Sequence, residues 1–146
     1  MSFTTGPKTQ FFFETQTTLT QRSKLKKFIE TLFRKEEKEI EYVNYIFCSD
    51  ERVLGINNEF LAHDFYTDII TFELSGKRKP VQAEVYISVD RVRDNAKRLK
   101  ESFSKELHRV IFHGALHLCG YRDKTAKDQK EMRQMEDHYL KTYFRK

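Results

Sequence analysis

The chain has 146 residues, of which 34% are charged, with only 2 prolines and 5 glycines. This length suits one domain with one core, and the composition excludes collagen-like repeats and long disordered segments. No run approaches the roughly 20 apolar residues of a membrane span, and the N-terminal residues lack the basic-then-apolar layout of a signal peptide. We therefore expect a single cytoplasmic domain over residues 1–146, with residues 1–8 frayed.

Charge and cysteine content add little about function. The net charge is +5, from 27 basic and 22 acidic residues, which permits a nucleic-acid partner without indicating one. Cys48 closes an apolar run and Cys119 lies within a histidine motif, so the cysteines form no framework of spaced pairs. We expect two free thiols.

The first half of the chain predicts two strands and two helices in alternation. Residues 10–15 contain three consecutive phenylalanines and suit a buried strand, as does the aromatic and β-branched segment 42–48. A helix from about residue 20 is indicated by apolar residues at helical spacing: Leu25, Phe28, Ile29, Leu32 and Phe33. Ser49-Asp50 then forms a natural N-cap for a helix that runs toward Phe60.

The second half predicts a hairpin followed by helices. Residues 67–74 and 82–89 have strand composition and are separated by a polar loop with glycine and proline. Three helices follow, over residues 90–101, 104–118 and 125–143. The predicted fold class is α/β of the α+β type, with a small mixed four-stranded sheet covered by four to five helices.

A histidine motif in the predicted helix 104–118 indicates a possible metal site. On a helix, His113 and His117 lie about 40° apart and one turn along, so both imidazoles project from one face. Gly120 suits the left-handed conformation that ends many helices, which lets Asp123 turn back toward the two rings. Two imidazoles and one carboxylate leave a fourth position open, as in catalytic zinc sites. Two histidines at this spacing also arise by chance on apolar helices, but the carboxylate after the glycine favours a metal site at the helix end.

The motif also resembles that of a known family. The segment HGALHLCGYRD is similar to the H-G-x-L-H-L-x-G-Y-D-H signature of the YbeY family of ribosomal RNA maturation endoribonucleases. Residues 57–72 are similar to the family's N-x-x-Y-R-x-x-D-x-P-T-D-V-L-S-F segment, and residues 83–88 to its G-D-I-x-I-S strand. The resemblance implies a zinc-type ion, or another divalent transition metal, held by His113, His117 and Asp123.

Two departures from the family pattern affect the site. The family's third histidine corresponds to Asp123, whose negative charge should make the ion a weaker Lewis acid. The family's arginine, implied to bind or polarise phosphate, corresponds to Leu61, which cannot do so. We expect an atypical member, slower or more dependent on a partner.

Candidates for the general base and for phosphate contacts come from neighbouring segments. Asp64, Asp68, Glu84 and His63 lie in segments that match the family regions bordering the site. The Asp68 side chain could instead form hydrogen bonds with nearby backbone groups, and Glu84 could point to solvent. For each residue, a catalytic role and a structural role therefore stay open. The basic residues we considered for phosphate contacts are Lys77, Arg78, Lys79, Arg122 and Lys124.

Three functions remain open at this point. The resemblance implies a single-strand-specific endoribonuclease that processes the 3′ end of 16S rRNA and acts in ribosome quality control. Its partners would then be an rRNA precursor, the small ribosomal subunit and ribosome assembly proteins, with no membrane and an undetermined oligomeric state. The alternatives are a peptidase-like metallohydrolase and an RNA-binding assembly factor with a mainly structural metal. A peptidase of the H-E-x-x-H type needs glutamate where this chain has Gly114.

Overall fold

A computed structural model describes residues 7–61, 67–76 and 79–145. This part of the chain forms four strands and five helices. The strands are β1 Thr9–Phe13, β2 Ile40–Cys48, β3 Ile69–Glu73 and β4 Val81–Ser88. The helices are α1 Arg22–Lys35, α2 Asp50–Leu61, α3 Val89–Leu99, α4 Phe103–Leu118 and α5 Ala126–Phe144. The predicted fold class is therefore confirmed.

The four strands form one mixed sheet in the order β1-β2-β4-β3. β1 and β4 both run parallel to β2, whereas β3 pairs antiparallel with β4, which confirms the predicted hairpin. The prediction placed Val89 at the end of a strand, but Val89 is the first residue of α3. The helix begins there because the Ser88 side chain accepts a hydrogen bond from the backbone N–H of Arg91 and caps it.

Helices cover both faces of the sheet. Along β4, alternate side chains lie on opposite faces, as the twofold repeat of a strand requires. Val81, Ala83, Val85 and Ile87 belong to the main core, which they share with α1, α4 and α5. Tyr86 lies on the other face, against a smaller apolar cluster that includes residues of α2.

Helix α4 is the buried centre of the molecule. It contacts β3 and β4 as well as α1, α3 and α5, and nearly all of its residues from Glu106 onward are buried. Gly114 lies directly against the sheet, since a Cβ atom at this position would approach Ile69 Cδ1 to 3.0 Å and Val85 Cγ1 to 3.1 Å. His113 and His117 therefore project from a helix that its packing against the sheet and three other helices holds in place.

The end of α4 has the turn that the sequence predicted. The Tyr121 N–H donates to the Leu116 carbonyl, and the Gly120 N–H donates to the His117 carbonyl. This is the Schellman arrangement, with Gly120 in the left-handed region at φ 106°. The turn reverses the chain, so that Asp123 returns toward α4 before α5 begins. No helix within the described ranges is long and apolar enough to cross a membrane.

Candidate metal centre and active site

A polar cleft of about 370 Å³ lies between α4, α5 and the start of β3. His113, His117 and Asp123 all border it, so the structure brings the three predicted ligands together. The other residues that line the cleft are Thr67, Asp68, Ile69, Thr71, Glu106, Arg109, Val110, Arg133 and Glu136. A second depression, here named the α5 groove, continues from it along the first half of α5. The groove is lined by His113, Asp123, Ala126, Gln129, Lys130, Met132, Arg133 and Glu136.

Two of the predicted ligands lie at ligand spacing. The distance from His113 Nε2 to Asp123 Oδ2 is 3.4 Å. Two donors of a tetrahedral zinc ion, each about 2.0–2.1 Å from it, are roughly 3.3 Å apart. His117, one turn further along α4, is exposed and borders the same cleft.

The other nitrogen of His113 is held by a carboxylate that the sequence did not indicate. The distance from His113 Nδ1 to Glu136 Oε2 is 2.7 Å, and Glu136 is only 5% exposed. A histidine that binds a metal through one nitrogen commonly donates the N–H of its other nitrogen to a carboxylate. Glu136 therefore fixes the ring so that Nε2 faces the cleft.

Glu136 is itself oriented by a buried arginine. Arg109 Nη1 donates to Glu136 Oε1 at 3.2 Å and to Asp137 Oδ1 at 2.8 Å. Arg109 Nε also lies 3.7 Å from Glu106 Oε1, an ion-pair separation longer than a hydrogen bond. Arg109, Glu106 and Glu136 are all buried, and this pairing reduces the electrostatic cost of burying their charges.

The pKa of His113 reflects these neighbours. Burial lowers it, but the hydrogen bond and charge of Glu136, together with the charges of Asp123 and Asp68, outweigh burial and raise the pKa above its ordinary value of 6.5. In the metal-free protein, His113 therefore holds a proton to higher pH than a free histidine does. An ion with a fixed positive charge would satisfy the same carboxylates.

Asp68 borders the cleft from the start of β3. Burial raises the pKa of its carboxyl group above 3.8, and the positive charge of His113 offsets part of this effect. Asn95 Nδ2 donates to Asp68 Oδ2 at 3.3 Å. Of the base candidates from the sequence that the structure describes, Asp68 is the one that borders the cleft.

The donor set fits a zinc-type ion in chemistry and in the spacing of one pair. Imidazole and carboxylate are both zinc ligands, and the His113–Glu136 contact supplies the outer hydrogen bond that such a ligand needs. Within the described ranges, no group of three or more histidine, cysteine, aspartate or glutamate side chains already meets the geometry of a complete metal site. The side chain of His117, the third predicted ligand, is exposed.

Glu84 is separated from the cleft by the sheet itself. Its neighbours Ala83 and Val85 belong to the core that contains α4, so Glu84 lies on the opposite face, beside Tyr86. The Tyr86 hydroxyl donates to Glu84 Oε1 at 3.3 Å. The alternation along β4 thus places Glu84 away from the histidines.

The other candidate base and phosphate-binding residues either do not line the cleft or lie outside the described residues. His63, Asp64, Lys77 and Arg78 fall outside the described ranges. Lys79 and Lys124 are exposed but do not line the cleft, and Arg122 borders a different depression beside Glu36 and Cys119.

The remaining described histidines and the cysteine near the motif do not line the cleft. His108 is buried, with Nδ1 2.6 Å from the Ser104 carbonyl, and His138 is exposed on α5. Burial, with a smaller effect from Glu36, raises the pKa of the Cys119 thiol to about 12. Both Cys48 and Cys119 are free thiols, as expected.

Sequence reasoning missed Arg109, Arg133 and Glu136. Arg109 lies 4 residues before His113 on α4 and so shares its helix face, which was an available signal. Glu136 and Arg133 are three residues apart on α5, but charged residues on an exposed-looking helix give no sign of which neighbour they contact.

Comparisons with known proteins agree with the geometry. Residues 10–144 match the family described as Endoribonuclease YbeY. A Cytophaga hutchinsonii protein of this name is 48% identical over 135 residues, covering 91% of this chain and 94% of its own. The Christiangramia forsetii protein of the same name is 41% identical over 130 residues, covering 89% and 90%. The solution structure of a Thermotoga maritima protein superimposes with a TM-score of 0.66 at 28% identity, over 93% of this chain and 89% of the other. The chain belongs to the endoribonuclease YbeY family.

Proposed function

We propose that this member of the family is a metal-dependent endoribonuclease that cleaves single-stranded segments of an rRNA precursor, including the 3′ end of 16S rRNA. The observation that carries the proposal is the pair His113 Nε2 and Asp123 Oδ2, 3.4 Å apart at the edge of the polar cleft. His113, His117 and Asp123 would hold the ion. When bound, the ion would lower the pKa of water and polarise a phosphoryl oxygen.

The protein's own contribution is to orient the ligands and to move a proton. Glu136 holds the His113 ring through Nδ1, and Arg109 holds Glu136. Asp68 is the general base in this proposal, since its carboxylate borders the cleft and its raised pKa makes it a better proton acceptor than an ordinary aspartate. Asp64 remains a sequence prediction for the same role, and His63 remains one for the phosphate contact of the missing arginine.

Gly114 argues against the peptidase alternative. The base of a zinc peptidase with H-E-x-x-H would stand at this position, yet here the backbone lies against Ile69 and Val85 of the sheet. A glutamate at position 114 would require the Ile69 and Val85 side chains to move, since its Cβ atom alone would approach them to 3.0 and 3.1 Å. Phosphodiester hydrolysis is compatible with the site because a bound ion can both supply the nucleophile and polarise the substrate.

The proposal is tested by metal content and by cleavage. The purified protein should contain about one zinc-type ion per chain by elemental analysis. It should cleave an unstructured RNA that spans the 3′ end of the small-subunit rRNA precursor, and leave the same sequence intact in a duplex. His117→Ala should lose the metal and the cleavage, whereas His138→Ala, which changes an exposed histidine of α5, should keep both.

Two results would contradict the proposal in different ways. Protein that takes up no divalent ion at neutral pH would rule out the metal site. Equal cleavage by the wild-type protein and His117→Ala would identify a contaminating nuclease and favour an RNA-binding assembly factor in which the metal is structural.

A further inference from the structure

We infer that Arg133 and Lys130 of α5 bind the RNA backbone next to the scissile phosphate, so that the substrate strand leaves the metal centre along the α5 groove. This inference rests on the proposed endoribonuclease function. It adds two phosphate-binding residues and a direction for the strand.

The charges around the cleft create a need for such residues. Four carboxylates and two guanidinium groups line it. A divalent ion offsets part of this excess negative charge, but an RNA strand adds one negative charge per nucleotide. Cationic side chains must therefore stand beside the ion for a strand to enter.

Arg109 cannot take this role. Its side chain is only 11% exposed, and its guanidinium already pairs with Glu106, Glu136 and Asp137. Removing it from these partners would leave the buried Glu106 without its paired arginine, which is costly.

Arg133 has the exposure and the position that Arg109 lacks. Its side chain is 57% exposed, and its Nη1 is 3.6 Å from Glu136 Oε1, which is beyond a normal hydrogen bond. That carboxylate oxygen already accepts a hydrogen bond from Arg109 at 3.2 Å. Among the described residues, Arg133 makes this single ion pair, so its exposed N–H groups can make a bidentate contact with a phosphate, for which arginine geometry is well suited.

The α5 groove gives the strand a direction. Arg133 lines both the cleft and the groove, as do His113 and Asp123, so the two depressions meet at the proposed metal centre. Lys130 lies three residues before Arg133 on the same face of α5 and also lines the groove. Two cationic side chains along one groove that ends at the ion can bind consecutive phosphates of a single RNA strand.

Substitution at these positions should separate RNA binding from metal binding. Arg133→Gln should raise the KM for a single-stranded RNA about fivefold with little change in kcat, as expected for an exposed charge contact. Without divalent ions, fluorescence anisotropy with a labelled oligoribonucleotide should show the same weakening and a salt dependence reduced by about 0.7 in log–log slope. Lys130→Gln should act in the same direction, and Arg133→Lys should restore part of the affinity.

Lys141→Gln is the matched control, because Lys141 is an exposed cation on the same helix that lines a different depression. If Arg133→Gln and Lys130→Gln bind RNA as Lys141→Gln does while the wild-type protein cleaves RNA with its ion, the inference is overturned and the proposed function stands. A loss of metal affinity in Arg133→Gln would also overturn it, since Arg133 would then act through Glu136. A wild-type protein that neither binds nor cleaves RNA would overturn both.

Discussion

Glu136 Oε2 lies 2.7 Å from His113 Nδ1, although the two residues are 23 positions apart and on different helices. Helix α5 therefore takes part in the proposed metal centre by orienting a ligand that belongs to α4. We expect Glu136→Gln to lower the affinity for a zinc-type ion by about 10- to 100-fold, because the ring loses its charged partner. Competition with a chromophoric chelator measures this affinity.

Glu131→Gln provides the control for that change, because Glu131 is an exposed carboxylate on the same helix. Its metal affinity should equal that of the wild-type protein. Unchanged affinity in Glu136→Gln would show that the contact does not support the metal site.

Arg109 should matter for folding as well as for the site. Replacing it with methionine removes the buried positive charge that pairs with both Glu106 and Glu136, and breaking a buried ion pair in this way costs about 3–5 kcal/mol. Urea unfolding at neutral pH measures the free energy of unfolding. Arg93→Met, which removes an exposed ion pair with Asp90, should cost no more than about 1 kcal/mol. Equal losses for the two variants would contradict the role given to the buried network.

Asp68 should control the acidic limb of the pH–rate profile. A general base is active only when deprotonated, so kcat/KM should fall as the pH drops through the pKa of the essential group. At saturating metal this limb should follow the pKa of Asp68, which burial raises above 3.8 in the metal-free protein and which the charge of a bound ion would lower. Asp68→Asn should lower kcat by about 10²- to 10⁴-fold while metal content stays near one ion per chain. Asp94→Asn, an exposed change on α3, should keep full activity, and an active Asp68→Asn would return the base role to Asp64.

Metal binding should compete with a proton on His113. An imidazole binds metal in its neutral form, and the pKa of His113 is raised above 6.5 by Glu136, Asp123 and Asp68 against the opposing effect of burial. The apparent metal affinity should therefore rise with pH until the pH exceeds this raised value. In Glu136→Gln the rise should end at lower pH, and isothermal titration at several pH values would test this shift.

The free energy of unfolding of the metal-free protein should fall as the pH rises, whereas the apparent metal affinity rises. A histidine whose folded pKa is raised contributes stability that is fully present below pH 6.5 and is lost as the pH rises through the folded value. Urea unfolding of the chelator-treated protein should show this decrease, and Glu136→Gln should reduce it. A stability that increases over the same range would mean that His113 is not paired as the structure shows.

The local features of this protein could be predicted from residues that are close together in the sequence. Helical spacing on α4 fixed the relation of His113 to His117, and Gly120 marked the turn that returns the chain, because both depend on contacts only a few residues apart. The composition of the strands indicated the four-stranded sheet, and the hairpin of β3 and β4 followed from its short polar loop.

The face on which each polar residue lies, and the neighbours it contacts, depend on how the helices and strands pack together. Helices cover both faces of the sheet, so alternation along β4 could not say whether Glu84 lies beside the histidines, and the packing places it on the other side. Nothing in the sequence distinguishes Glu136 from the other charged residues of α5. Its contact with His113 depends on how α5 packs against α4, and that packing is set by side chains from many distant segments acting together.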